Sequence, residues 1–411
     1  MLGTLIKREL VDNLTSGRYI LTSILCVTLC VASIILMSHN YDNRVKDFNL
    51  RHYLYGMSHW GQYDGDASDK SIYIVAKPPQ PLSLVAIGTD AVMVRPHSPA
   101  GARYDVIAEF KHYYGEQHHL FDLFTTPGFV YAVGMVFSLL AIFLSFDVIC
   151  GEKETHTLSL LLSHSIPRSQ LLLAKWIGGY VSFLISISPA LLLMLIFLNV
   201  FAGVPLETEH WLRLLGIFAL SFLYLSVFFT LGLLVSTLTH RSATALILVI
   251  FIWAIWALAT PRVGVLTART IRPAQPFSGF YVEKYYTAPH RHTEEQREQL
   301  WKMDDAYVAT IDKQIEMGQH LARLSPTASY IYGSTALALT GIADYKDYRQ
   351  QFSQWNRDAI RSRESRQPFV YQPLTIGKSL SKITFDVMLL VMWNLLLFMA
   401  ANLAFLRYDV R

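Results

Sequence analysis

The chain is poor in charge. Of its 411 residues only 16% are Asp, Glu, Lys or Arg, against about a quarter in a soluble globular protein. It is also poor in cysteine. The three it has, Cys26, Cys30 and Cys150, lie in or at the edge of apolar runs, so no disulfide framework reaches the polar segments. Cys26 and Cys30 are four apart, on one face of a helix, and read as small membrane-helix residues rather than a metal or redox pair. The net charge of +4 is spread along the chain, which excludes the basic footprint of a nucleic-acid binder. Catalytic signatures are missing too. There is no HExxH zinc motif. "LTIGKS" at Leu374 to Ser379 ends like a phosphate-binding loop, but the position where that loop needs its first glycine is Gln372. Glu294 and Glu295 read as a solvated helix face. His112, His118 and His119, with His290 and His292, cluster in sequence, but a metal site needs three or four converging ligands and spacing shows no convergence. The residues therefore give no catalytic group, no metal site and no cofactor bound by this chain.

What the chain has in abundance is apolar sequence. It is 52% hydrophobic and 13% aromatic, with a mean hydropathy of +0.31. A membrane helix takes about 20 apolar residues, and six stretches supply them: 18–38, 128–150, 171–201, 212–238, 242–260 and 383–406. Pro189 is expected to kink the third. The first is too long for a cleavable signal and lacks a small-residue cleavage site. The expected fold is an α-helical polytopic membrane protein with six transmembrane helices, embedded in a lipid bilayer. Basic flanks set orientation. Lys7, Arg8, Arg18, Lys153, Arg168, Lys175, Arg241, Arg407 and Arg411 all fall on one side if the spans alternate. Both termini are then cytoplasmic, and residues 39–127 and 261–382 are extracytoplasmic insertions. The first insertion is expected to be mixed α/β, with "SIYIVA" and "AVMVRP" extended. The second is expected to be mainly helical: Thr293 to Leu324, a helix start at Ser325-Pro326, and Ala343 to Arg366. Intramembrane polar residues are few. Asp386 is expected near enough to the outer edge to reach water, while Asn394, Asn402, Ser186 and Ser188 hydrogen-bond between helices. Aromatics of spans four and five, Phe222, Tyr224, Phe228, Phe229, Trp253 and Trp256, read as packing or lipid-facing residues rather than a path for amphipathic cargo.

Residues 151–170 form an ordered polar interruption on the cytoplasmic side. "GEKETHT" is a turn in which Thr155 or Thr157 can cap a following helix. Leu158, Leu161 and Leu162 share one side of that helix, Ser159 and Ser163 another. Pro167 then stops it. A helix this short cannot span, so its apolar strip must be covered by the membrane surface or by a partner.

The stretch "FDVICGEKETHTLSLLLSHSIPRSQLLLAKWIGG" resembles the signature of ABC-2 type permeases, the membrane subunits of one class of ABC transporters. The matching positions are Glu152, Glu154, Thr157, Leu158, Leu161, Leu162, Ser163, Pro167, Arg168 and Lys175. His156 stands where that family usually has glycine. "LIKRELVDNLTSGRYIL" is similar to the family's amphipathic helix along the cytoplasmic face, here 1–17. "LGLLVSTLTHRSATALILVIFIWAIW" resembles its spans four and five. "KPPQPLSLVAIG" and "LSPTASYIYGSTALALTG" resemble the branch with two large outer insertions. The resemblance implies a non-catalytic exporter subunit of a bacterial inner membrane, paired with a second permease as a homo- or heterodimer. It implies separate ATPase subunits that carry the ATP and Mg, and a coupling helix at Glu152 to Arg168 that receives their motion. Two other readings stand beside it: the same machinery used as an ATP-driven relay to an extracytoplasmic partner, and a membrane enzyme with an outer active site.

Overall fold

The computed structural model describes residues 2–58, 77–89, 128–163, 167–200, 206–273, 293–362 and 369–407. Every regular element among the described residues is helical. "SIYIVA" and "AVMVRP", and the five clustered histidines, lie outside them. Helix α1 is Leu2–Thr15 and α2 is Gly17–Ser58. α3 combines Phe129–Ala132, a π-helical turn at Val133–Phe137 and Ser138–Ser145. Two short helices follow, α4 (Cys150–Glu154) and α5 (Thr157–Ser163). α6 is Arg168–Val200 and α7 is Thr208–Leu238. α8 joins Ser242–Trp253, a second π turn at Ala254–Ala259, and Thr260–Ile271. α9 (Glu294–Ala322), α10 (Pro326–Leu337), α11 (Ile342–Ser362) and α12 (Ile376–Leu406) complete the chain. A 3-10 turn at Pro81–Leu84 precedes α3.

Among the described residues six helices are long and apolar enough to cross a membrane: Gly17–Asn49, Phe129–Glu154, Arg168–Val200, Thr208–Leu238, Ser242–Ile271 and Ile376–Leu406. They match the six expected runs, and several extend past them. α2 continues beyond residue 38 because no proline interrupts "HNYDNRVKDFNLRHYLYGMS". α8 continues through Pro261 because that proline opens the segment after the π turn, where a missing N–H costs least. Pro189 sits inside a continuous α6. The carbonyl its missing N–H would have bonded, that of Ile185, accepts the Ser188 hydroxyl at 2.7 Å instead. Below, the end of the bundle where α2 starts and α12 stops is called proximal, and the other end distal.

The distal helices start where their caps are. Thr293 and Gln296 form a reciprocal capping box at the start of α9. Ser325 accepts from the N–H of Thr327 at 3.1 Å with Pro326 in the first helical position of α10. "LTIGKS" is the start of α12, and Ser379 accepts from Arg213 at 3.0 Å. Among the described residues four ion pairs stitch α9 to α11: Arg357 with Asp305, Arg349 with Asp312, and Lys346 with both Asp312 and Glu316.

Helix α10 goes where hydropathy does not place it. All twelve of its residues are buried, packed between α7 and α12. Its N-terminus meets both π turns. Ser325 donates to the carbonyl of Trp256 in the second, and Thr327 bonds Tyr224, whose hydroxyl also donates to the carbonyl of Gly134 in the first at 2.6 Å. Tyr330 stacks on Tyr224 and bonds Ser221. At the other end of α10, Arg213 donates to the carbonyls of Leu337 and Leu374, and Lys77 to that of Leu339. The motifs around Lys77 to Thr89 and Leu324 to Gly341 thus interlock, with Thr340 accepting from Thr89 and donating to Ala86.

Asp386 is not in water. It is 2% exposed and paired with Arg323 from the α9–α10 junction, because α10 covers the distal part of α12. Asn394 bonds between helices as expected, to Ser226, Thr230 and the carbonyl of Leu223. Ser186 and Ser188 bond within α6 instead. Tyr224, Phe228 and Phe229 are fully buried core residues. Cys26 and Cys30 are buried on one face of α2.

Candidate functional site

The polar segment between α3 and α6 folds as two short helices at a sharp corner. α4 is seeded by Ser236 of α7, whose hydroxyl accepts from the N–H groups of Ile149 and Cys150 at 2.9 and 3.0 Å. That hydroxyl does the work of a cap from another element. α4 ends at His156, which has φ 57. The left-handed conformation is glycine's habitual place, so the residue type usual in the resembling family has a backbone reason here. Thr155 or Thr157 was expected to cap α5. They point the other way: Thr155 donates to the carbonyls of Gly151 and Glu152, and Thr157 to that of Glu152. The turn at His156 folds both hydroxyls back over the open end of α4, where carbonyls lack partners.

The corner is fastened to five candidate spans, and most of its charges face inward. Asp147 pairs with Arg18 at the start of α2. Glu152 Oε1 is 2.7 Å from Lys175 Nζ on α6. Lys153 is buried and donates to the carbonyls of Thr237 and Thr239 at 2.6 and 2.9 Å, so a cation closes the C-terminus of α7. Glu154 accepts from Ser242 at the first turn of α8 at 2.6 Å. Leu158 is 2% exposed among Leu171 and Leu172 of α6, Leu233 of α7, and Ala401 and Phe405 of α12. Arg168 donates to the carbonyl of Leu406 at the end of α12 at 3.0 Å.

The residues singled out from sequence face both inward and outward. Glu152 and Arg168, at the two ends of the coupling helix that the resemblance implies, are engaged with Lys175 of α6 and the carbonyl of Leu406 of α12. Leu158, expected in an apolar strip covered by the membrane surface or by a partner, packs inside the chain. Leu161 is half-buried, and the side chains of Leu162 and Ser163 lie outside the described residues. Pro167 precedes α6, and its carbonyl accepts from Gln170 and Leu171. What faces outward is the tip: Glu154, Thr155, His156, Thr157 and Ser159 are exposed. Sequence reasoning missed Ser236, Ser242 and Glu9, which complete the corner. Glu9 had a readable signal, a carboxylate among Leu5, Ile6 and Leu10 of an amphipathic helix.

No group of three or more His, Cys, Asp or Glu that could hold a metal occurs among the described residues. The corner is a small exposed knob whose root is bonded into the helices around it.

A search of curated proteins finds no match. The family described as "ABC-2 family transporter protein" matches residues 4–410, nearly the whole chain. That family generally provides a non-catalytic membrane subunit and usually works with an ATPase subunit. The chain, with its six apolar helices, is a membrane protein of the ABC-2 transporter family and thereby an ABC transporter permease.

Proposed function

We propose that this permease is an exporter subunit of a bacterial inner membrane, with its proximal end cytoplasmic and the α4–α5 corner as the coupling site for a separate ATPase. One observation carries the reading. The exposed tip at Glu154 to Thr157 is rooted in contacts to α2, α6, α7, α8 and α12, so a push there reaches five spans at once. ATP and Mg bind the partner subunits, and two permeases, alike or different, complete the transporter. The division of labour is simple. Thr155, His156, Thr157 and Ser159 meet the partner, while Glu152, Lys153, Leu158 and Arg168 pass the displacement inward. Glu154 does both.

The test is purification from native membranes of the tagged full chain, in mild detergent, with assay of copurifying ATPase activity. Thr157→Arg at the exposed tip should lose that activity while the permease stays folded. Undiminished activity would remove the corner from the docking surface. No ATPase with the unaltered chain would remove the whole reading.

A second reading, ATP-driven relay to an extracytoplasmic partner, is favoured by the distal architecture. The ion-paired α9–α11 hairpin is joined to the spans through Arg323 with Asp386 and through buried α10, so bundle motion would reach it. Vesicles showing partner binding that depends on ATP, without transport, would select the relay.

A further inference from the structure

The coupling reading makes no use of α1, although the most buried charge cluster of the proximal end belongs partly to it. Lys175 is 4% exposed, with Glu9 Oε1 at 2.9 Å and Glu152 Oε1 at 2.7 Å from its Nζ. Glu9 is on α1, Glu152 on α4, Lys175 on α6. The second oxygen of Glu152 is buried without a partner, so the cluster has one ammonium for two carboxylates. Such groups are costly to bury at membrane depth unless paired. A plain apolar contact would hold helices together at less cost. What a charge cluster adds is register: it is satisfied in one arrangement and penalised in others.

The backbone agrees. A Cβ on Gly178, three residues past Lys175, would lie 2.7 Å from the Cβ of Glu9 and 3.4 Å from the carbonyl oxygen of Ile6. α1 therefore rests directly on the α6 backbone at the cluster. A single residue, Ser16, separates α1 from α2. Just beyond it, Arg18 pairs with Asp147 at the root of the corner. The joint at Ser16 thus has an ion pair on each side: before it Glu9 with Lys175 of α6, which also holds Glu152 of α4, and after it Arg18 with Asp147. The opposite face of α1, with Gly3, Thr4, Lys7, Arg8, Val11 and Asp12, is exposed.

We propose that α1 and the α4–α5 corner move as one body, locked through Lys175, and that this body turns span α2 about Ser16 when the corner is displaced. Lys175 and Glu9 are positioning residues in this scheme, and the inference rests on the coupling reading, since the ATPase supplies the displacement. α1 would be a second lever rather than a passive lead-in.

Spin labels at Lys7→Cys and Lys378→Cys, both exposed, in the full transporter with its native cysteines replaced, would measure the swing of α1 against the distal end. The distance should shift between nucleotide-free and vanadate-trapped states. Glu9→Gln and Lys175→Met should abolish the shift with ATPase copurification unchanged, and Lys175→Arg should restore it. If Lys175→Met does not fold, Glu9→Gln, at a half-buried position, carries the test alone. A full shift in Glu9→Gln overturns the proposal. So does an unmoving α1 in the unaltered transporter when the ATPase is bound. Absence of the ATPase from the unaltered complex instead sinks the coupling reading on which it rests.

Discussion

Arg323 holds Asp386 with two nitrogens, Nε to Oδ1 at 2.7 Å and Nη2 to Oδ2 at 3.1 Å. Removing one partner strands a buried charge, which costs roughly 3–5 kcal/mol, whereas replacing both with apolar groups is often neutral. Asp386→Leu or Arg323→Met alone should lower the melting temperature of the purified permease sharply. The double replacement should recover most of it. Additive losses in the double-mutant cycle would show that the two residues act independently.

His156 occupies a left-handed backbone, φ 57. A non-glycine residue there costs about 1–2 kcal/mol, part of which glycine returns as unfolded-chain entropy. His156→Gly should therefore stabilise by roughly 0.5–1 kcal/mol, and His156→Val should destabilise. Equal melting temperatures for glycine and valine variants would contradict the turn assignment.

Asp344, in the first turn of α11, is 1% exposed, with Oδ2 accepting from the N–H of Gly341 at 3.2 Å and Oδ1 unpartnered. Burial pushes its carboxyl up to about 6, opposed by Lys77, Lys382, the Gly341 N–H and Arg213. The folded state thus holds this proton more tightly than the unfolded one. Stability from this group is lowest above pH 6, rises as pH falls through 6, and levels off below the ordinary carboxylate range, a span on the order of 3 kcal/mol. Asp344→Asn should be the more stable protein at pH 8, with its advantage shrinking towards pH 4. A difference that ignores pH would refute the assignment.

Gly264 of α8 faces α9 so closely that a Cβ would lie 2.7 Å from the Ala322 nitrogen and 3.0 Å from its Cα. Both are backbone atoms, which cannot swing aside. Gly264→Ala should cost about 1–3 kcal/mol through overpacking and speed hydrogen exchange in α9. Gly3→Ala, with nothing within 4 Å, is the control. Matching exchange rates in α9 for both variants would argue against the close crossing.

Local signals were legible and long-range ones were not. Apolar runs located all six candidate spans because bilayer thickness demands them. Ser325 announced α10 because a cap acts over three residues, and apolar spacing placed α9. The burial of α10 was illegible: its run of Thr, Ser, Tyr and Gly resembles a surface helix until Tyr224 and Ser221 supply partners for the hydroxyls. Asp386 looked solvated because its partner stands 63 residues earlier. At the candidate site the short helix at Thr157–Ser163 could be read directly, while the stretch read as a turn holds a helix of its own, Cys150–Glu154. The direction each side chain faces could not, since Glu152, Leu158 and Arg168 are turned inward by groups on α6, α7 and α12.

The seating of α10 has a consequence for biosynthesis. Thr327 and Tyr330 reach their partners Tyr224 and Ser221 across 103 and 109 residues of chain. The ribosome delivers α7 to the bilayer well before the helix that covers it exists, so a cleft with uncovered hydroxyls must wait through the synthesis of α8 and α9. Insertion of the spans and completion of the bundle are then separate events in time, and a chain stalled between them exposes a polar seam to lipid or to whatever guards nascent membrane proteins.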